Sequence, residues 1–384
     1  MKLSGFITFP IIARSIGVSV LGILGTAQAF SGMLFLIADL GLNKSLIKEV
    51  SQNKKDTDVI FSNAIMLKAA SMLMALLIGL FLIKFSDLDE VSTKLGILVL
   101  LLGFIGGFDE LIKSMFSGHE KMEFLPILDG LSKVSTLIAV ILIFLILKGS
   151  IIELQICSIF ITVGIIVLSL KFFMTKVHKI KFNLRVGMLA NLLKASIPFM
   201  MVGFFAHSFG FIDSLMLASM LGSDAVGLYQ IAYKLVVYLQ LIPATVSTAL
   251  FPTLSRLYVE DYSKFEYGLK RVFKYLFLLS IPTAISLNLM GPVLIRTIFG
   301  LEFEGSVILF QLLTWSLILN FITFPLGVSL GVSGNQKLNV IILVCGSISN
   351  IVSNYLFIGF WGINGVAIST VLSAGIVFLC SIYF

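Results

Sequence analysis

Ionisable side chains stand where the surrounding sequence has almost none. Asp213, Lys234, Lys68, Asp129, Lys133, Asp109 and Lys113 lie inside long apolar runs, and Arg14 and Asp39 lie at the two ends of another. In hydrocarbon a charge costs about 2.5–3.5 kcal/mol on insertion scales, so such a residue pairs, faces a wet cavity or reaches for the surface. Asp213 lies nine residues before Gly222, and Lys234 eleven after Ser223. A helical hairpin turning at Gly222–Ser223 puts both about 15 Å deep and level with each other. One reading is a cavity-facing pair in which Lys234 takes an anion and Asp213 responds to a cation. The other is a structural ion pair joining two helices. Asp129 and Lys133 are four apart, as are Asp109 and Lys113, with Glu110 beside them. Each pair shares a helix face, which favours local pairing over cavity lining. Lys68 either snorkels outward or points into a cavity. Arg14 reads as interfacial, and Asp39 as capping or pairing. His207, six residues before Asp213, is about 120° away around a helix, so it reads as a buried, hydrogen-bonded histidine outside that site.

The elements that must position these groups follow from composition. Of 384 residues, 58% are hydrophobic and 12% are charged, with a mean hydropathy of +1.07. A soluble domain carries about 25% charged residues, so too little polar surface exists to face water. The chain is expected to be an all-α integral membrane protein. A helix needs about 20 apolar residues to cross the bilayer, which places spans at Val18–Leu40, Ile60–Phe85, Leu95–Phe116, Phe124–Leu147 and Ile151–Met174. A second group follows at Leu192–Leu221, Val226–Leu254, Val272–Phe299, Val307–Leu330, Leu338–Phe360 and Ile363–Phe384. The apolar stub Leu3–Ala13 precedes them as helix 1. Basic residues crowd the loops after even-numbered helices: Lys44, Lys48, Lys54, Lys55, Lys121, Lys176, Lys179, Lys181, Arg185, Arg256, Lys264, Lys270, Arg271 and Lys337. These loops and the N-terminus are therefore expected in the cytoplasm of a cell-membrane protein. The net charge of +7 fits lysine-rich loops beside anionic lipid rather than nucleic-acid binding.

Other chemistry finds little support. Cys157, Cys345 and Cys380 sit in apolar runs without CxxC spacing and read as small packing residues, and the three histidines lack metal-ligand spacing. No phosphate-binding glycine motif, nucleophile elbow or paired-carboxylate signature occurs. No cofactor, metal or catalytic residue is expected. A membrane enzyme such as a glycosyltransferase or polymerase would need acids or histidines in surface loops. The outer loops are short, and Ser255–Phe273 mixes Glu260, Asp261 and Glu266 with Lys and Tyr, as a surface helix does. A channel would need a filter motif, and none appears.

An internal repeat is visible. Ala13, Gly17 and Gly22 fall on Ala218, Gly222 and Gly227 at an offset of 205, and GHEKME (Gly118–Glu123) falls on GNQKLN (Gly334–Asn339) at 216. Gly130 and Gly149 then fall on Gly346 and Gly365. Two parallel six-helix lobes are expected: 1–175, a cytoplasmic linker 176–194, and 195–384. On this repeat Met1 aligns with Ala206, so helix 1 reads as clipped and the chain as a fragment or mis-started gene product. Six of the eight prolines, Pro198, Pro243, Pro252, Pro282, Pro292 and Pro325, fall in the second half, where they bend helices.

ARSIG with Gly22, ADLGLNKSLIKEV (Ala38–Val50), GHEKM, IPF (Ile197–Phe199), FID (Phe211–Asp213), VGLYQIAYKL (Val226–Leu235) and ALFPTLSRL (Ala249–Leu257) together resemble the polysaccharide and oligosaccharide-lipid flippases. That family belongs to the multidrug/oligosaccharidyl-lipid/polysaccharide exporter (MOP) superfamily. The resemblance implies two lobes rocking around a central cavity, and transfer of undecaprenyl- or dolichyl-linked saccharides from the inner to the outer leaflet. Its partners would be that lipid-linked saccharide, the bilayer and a coupling cation, with no nucleic acid, in a monomer. Lys234 would then meet the pyrophosphate. A cation-coupled multidrug antiporter of the same superfamily is the alternative, with Asp213 as its acid.

Overall fold

The computed structural model describes residues 3–86 and 88–383. Met1, on which the reading of a clipped first helix turns, and Phe384 lie outside them. The described residues are almost entirely helical and include no strand. In chain order the helices are α1 (Leu3–Ala38), α2 (Leu42–Gln52), α3 (Thr57–Lys84), α4 (Glu90–Gly118), α5 (Phe124–Val140), α6 (Ile151–Lys176) and α7 (Val186–Leu221). There follow α8 (Ser223–Leu239), α9 (Leu241–Glu260), α10 (Tyr262–Ile298), α11 (Ser306–Val332), α12 (Gln336–Trp361) and α13 (Ile363–Tyr383). Among the described residues, eleven helices or continuous helix pairs are long and apolar enough to cross a membrane.

Two elements differ from the sequence expectation, α2 and the break between α8 and α9. The stub and the following span are two helices, as expected, parted within Leu3–Ala38 (α1) at Gly17, whose φ of 76° and ψ of 176° leave the helical region. Past Ala38, Leu40 (φ 53°) and Gly41 (φ 70°) turn the chain into α2. Its buried Leu42, Ser45, Leu46 and Val50 line one face while lysines occupy the rest, as expected of a helix lying at an interface. The run Val226–Leu254, expected as one span, breaks at Gln240 between α8 and α9. Ser255–Phe273, whose mixed composition suits a surface helix, is helical except at Asp261. The Asp261 carboxylate accepts the Lys264 amide at 3.1 Å and so starts α10.

Cα packing divides the chain into two units. One holds residues 1–16 and 26–207, the other 17–25 and 208–384. In the first, α4 packs on α2, α3 and α6 around Leu46, Ile60, Phe61, Leu111, Met115, Phe116 and Phe173. In the second, α11 packs on α9, α10 and α13, with Leu309, Phe310, Leu313, Leu317 and Phe321 fully or almost fully buried. The same arrangement thus occurs twice, as the repeat requires. Gly222 (φ 86°, ψ 179°) reproduces the Gly17 conformation at the offset of 205. The later register is shorter than the letters suggest. Lys121 N–H donates to Phe116 O and Asn335 N–H to Leu330 O, each at 2.9 Å, and the left-handed residues inside those turns are Glu120 (φ 61°) and Gly334 (φ 77°). The equivalence there is two residues short of 216, so Gly118 closes a helix while Gly334 makes the turn. At Ile151 and Ile363, which open α6 and α13, it is four short, and Gly149 and Gly365 are not equivalent.

Pro292 shows how a bent span is repaired. Proline has no N–H for the carbonyl four residues back, which is that of Asn288. The Gln311 side-chain amide of α11 donates to Asn288 O at 3.0 Å, while the Asn288 amide returns a bond to Gln311 O at 2.9 Å. A neighbouring helix thus satisfies the freed group, as a lipid-embedded helix demands.

Candidate functional site

Asp213 of α7 is completely buried. Three helices supply its partners. The Tyr229 hydroxyl of α8 donates to Oδ2 at 2.6 Å, the Asn354 amide of α12 to Oδ1 at 2.7 Å, and the Thr370 hydroxyl of α13 to Oδ2 at 3.2 Å. The Tyr229 ring stacks on Tyr233, centroids 5.5 Å apart. One turn before Asn354, Asn350 accepts from its amide at 3.2 Å. Beside this network the Gln230 amide of α8 donates to Ser214 Oγ of α7 at 3.0 Å. Among the described residues, Asn354 Oδ1 and Asn350 Nδ2 are buried with no hydrogen-bond partner.

This arrangement has a definite chemical character. Neutral donors reduce the cost of burying a carboxylate but do not cancel its charge. The oxygens gathered here are hard: a carboxylate, amide carbonyls, and threonine and tyrosine hydroxyls. Only one of them is anionic, and among the described residues no three His, Cys, Asp or Glu side chains form a metal-holding group. One negative charge among neutral oxygens suits a proton or a hard monovalent cation better than a transition metal. Asn354 Oδ1, lacking a donor, is an oxygen available to such an ion.

Lys234, the basic residue that hairpin spacing offers to Asp213, is not among these hydrogen-bond partners. Tyr229 reaches Asp213 instead, and five positions turn a helix by about 140°, so the partly buried Lys234 leaves α8 on another face. Sequence reasoning passed over Tyr229, Asn350, Asn354 and Thr370. The available signal was polar residues spaced four apart in the apolar run SISNIVSNYL (Ser347–Leu356).

The first unit carries a chain of charges. Lys68 of α3, fully buried, is bound to Asp39 at the end of the second span, whose side chain is 22% exposed. The lysine therefore neither snorkels nor points free. Lys113 of α4 bridges Asp109 at 2.7 Å and Asp129 of α5 at 2.6 Å. The expected Asp109–Lys113 pair thus forms, but the expected Asp129–Lys133 pair gives way to a bond across two helices, and Lys133 is exposed. Glu110 accepts from the Asn43 amide at 3.1 Å. Arg14 is exposed on α1, and His207, expected to be buried, is exposed. Cys345, read as a packing residue, is also exposed.

The Lys68–Asp39 pair has unequal halves, which fixes an expected result. Asp39→Ala leaves a lysine with no exposure and only Glu110, beyond ion-pair distance, to offset its charge, whereas Lys68→Met leaves a carboxylate that still reaches solvent. Breaking a buried pair costs about 3–5 kcal/mol, so Asp39→Ala should sit at the upper end and Lys68→Met well below it. The double variant Asp39→Leu/Lys68→Met should recover most of the loss. Thermal unfolding in detergent measures all three, and equal losses in the two single variants would contradict the asymmetry.

Comparison with known proteins now fits this architecture. The model for the family described as polysaccharide biosynthesis protein matches residues 1–258, and the MatE model matches residues 198–356. An uncharacterized membrane protein of Methanocaldococcus jannaschii is 29% identical over 178 residues, 46% of this chain, and the match spans only 35% of that protein's length. Among solved structures, an inward-facing multidrug resistance MATE family transporter of the MOP superfamily superposes with a TM-score of 0.83 at 15% identity, covering 100% of this chain and 92% of that one. The lipid II flippase MurJ in an inward closed conformation gives 0.80 at 18%, covering 100% and 86%. A MOP superfamily transporter from Pyrococcus furiosus gives 0.70 at 13%, covering 100% and 90%. With about two thirds of its length inside one family model, the chain belongs to the polysaccharide biosynthesis protein family, and it shares the fold of the MATE and MurJ structures throughout.

Proposed function

We propose that this protein carries a lipid-linked saccharide from the inner to the outer leaflet of the cell membrane by alternating access, as a monomer, and that a monovalent cation or proton at Asp213 is coupled to the movement. The family match over residues 1–258 carries the cargo assignment. The buried Asp213, with neutral partners and the spare Asn354 oxygen, supports the coupling assignment. A carboxylate buried without a cation is costly, and an ion that neutralises it favours the packed state of α7, α8, α12 and α13. The excess of lysine in alternate loops supports a cytoplasmic position for those loops and for the N-terminus.

The test is reconstitution into proteoliposomes with an undecaprenyl-diphosphate sugar bearing a fluorophore that a membrane-impermeant reductant bleaches. Protein-dependent flipping that changes with an imposed Na+ or pH gradient is expected. A second reading, cation-coupled drug antiport, draws on the MatE match to residues 198–356 and places the same Asp213 in the same role. Everted vesicles that accumulate ethidium in a cation-gradient-dependent way, alongside proteoliposomes that leave the labelled lipid where it was, would select it and overturn the first.

A further inference from the structure

Two histidines that the transport reading does not use meet on the lysine-rich side of the first unit. His119, in the turn between α4 and α5, and His178, just past α6, stack with ring centroids 5.9 Å apart and planes inclined by 21°. His119 Nε2 lies 3.2 Å from Thr57 Oγ1, and His178 Nε2 lies 3.0 Å from Asp58 Oδ1, both at the start of α3. The same Asp58 oxygen accepts the Lys181 amide at 3.0 Å, and Ser62 Oγ accepts the Asn183 amide at 2.9 Å. Residues 177–185, which join α6 to α7 and so connect the two copies of the repeat, are thereby stitched along one turn of α3.

The charges around the stack are unevenly shared. Asp58 faces His178 and the Lys181 amide. The charged neighbours of His119 are His178 and Lys54, and the nearest acid in its own turn, Glu120, is held by Lys54 at 3.0 Å. His178 thus has a carboxylate within hydrogen-bond distance. His119 has a neutral hydroxyl there instead, and a proton on it meets the positive charge of Lys54 and of a protonated His178.

We propose that residues 177–185 form a pH-sensitive clasp: protonation of both His119 and His178 makes the stacked rings repel and releases the segment from α3. Burial, His178 and Lys54 hold the His119 imidazole below its ordinary value of 6.5. A histidine so depressed contributes stability at higher pH and loses it as pH falls through its value in the folded chain. The clasp is accordingly closed near neutrality and opens in acid. Once released, nine residues extend to about 30 Å, lengthening the tether between the repeats.

The experiment is hydrogen–deuterium exchange of the 177–185 peptide in the purified full-length chain in nanodiscs, corrected for intrinsic pH dependence. Wild-type protection should fall at least tenfold between pH 7.5 and 5.5, because the Lys181 and Asn183 amides lose their acceptors. His119→Gln keeps a polar group toward Thr57 but carries no charge, and should stay protected at pH 5.5. Glu120→Gln, at an exposed position that does not threaten folding, removes negative charge near His119 and should move the loss to lower pH. A flat wild-type profile, or a loss that persists unchanged in His119→Gln, overturns the proposal. So does a loss that stays put, or moves to higher pH, in Glu120→Gln. None of these readouts requires transport activity, so failure here is distinguishable from failure of the cargo assignment.

Discussion

Asp213→Asn is expected to abolish the cation dependence of transport and to lower the transport rate at least tenfold, while the protein remains folded. The asparagine keeps the size of the side chain and an oxygen for one donor. Of the three donors that now converge on two carboxylate oxygens, at least one must lose its acceptor or turn. A neutral hydrogen bond contributes about 0.5–1.5 kcal/mol, which a folded bundle tolerates. The charge is a different matter. Without it, an ion entering among amide and hydroxyl oxygens gains no compensating negative partner, and tenfold in affinity is about 1.4 kcal/mol. Asp213→Ala goes further. It takes the shared acceptor from Tyr229, Asn354 and Thr370, which fall back on one another, on Asn350 and on the Val366 carbonyl, at about 0.5–1.5 kcal/mol per lost bond, and it leaves a hollow where the carboxyl stood, so it should lower protein abundance as well as rate. Gradient-driven uptake or flipping in proteoliposomes separates the two variants. An Asp213→Asn protein with undiminished, gradient-dependent transport would remove Asp213 from the coupling role.

Gly22→Ala should be strongly disruptive for a change of a single methyl group. A Cβ at Gly22 would stand 1.8 Å from the Ser223 carbonyl oxygen and 2.5 Å from its carbon, and one at Gly227 would stand 2.2 Å from Val18 O. All four residues belong to the second unit. The obstacle is backbone at the start of a helix, so no rotamer change relieves it, and α8 must shift away by an ångström or more. Overpacking of this kind costs about 1–3 kcal/mol, occasionally more. Six residues beyond Ser223 stands Tyr229, so the displacement also disturbs the donor to Asp213. Gly130→Ala is the control. Nothing lies within 4 Å of its added methyl, and alanine stabilises a helix interior by about 0.5–1 kcal/mol over glycine. Thermal unfolding in detergent should place Gly22→Ala several degrees below the wild type and Gly130→Ala at or slightly above it. Coincident curves for the two variants would refute the close approach.

What the sequence reveals of this molecule depends on how local the determining physics is. The spans were legible because each is an apolar run of bilayer length, and the repeat because Gly17 and Gly222 must both adopt positive φ. The break at Gln240 was legible only in part: Pro243 signals a bend, and its missing N–H frees the Leu239 carbonyl and suits the first turn of α9, but an apolar run alone does not tell a bend from a break. The turn after α4 misled by two residues. There the letters GHEK and GNQK align, while the left-handed position is filled by Glu120 in one copy and Gly334 in the other. Asp109–Lys113 was readable because four residues make one helical turn. Lys113–Asp129 was not, because it depends on how α4 and α5 face each other. The Asp213 site was half visible: a lone acid in an apolar run announces itself, but its neutral partners on α12 and α13 lie some 140–160 residues away. Nothing in one sequence measures that distance.

The reciprocal approach of the two helix starts, Gly22 onto Ser223 and Gly227 onto Val18, has an evolutionary corollary. At the repeat offset Val18 corresponds to Ser223 and Gly22 to Gly227, so each copy offers the other the same knob and the same hollow. Interfaces that relate identical subunits by a dyad have this self-complementary form. A half-length ancestor pairing with itself would have needed a single glycine mutation to create both contacts at once. In this chain both positions are glycine, and the crossing leaves room for a methyl group in neither copy.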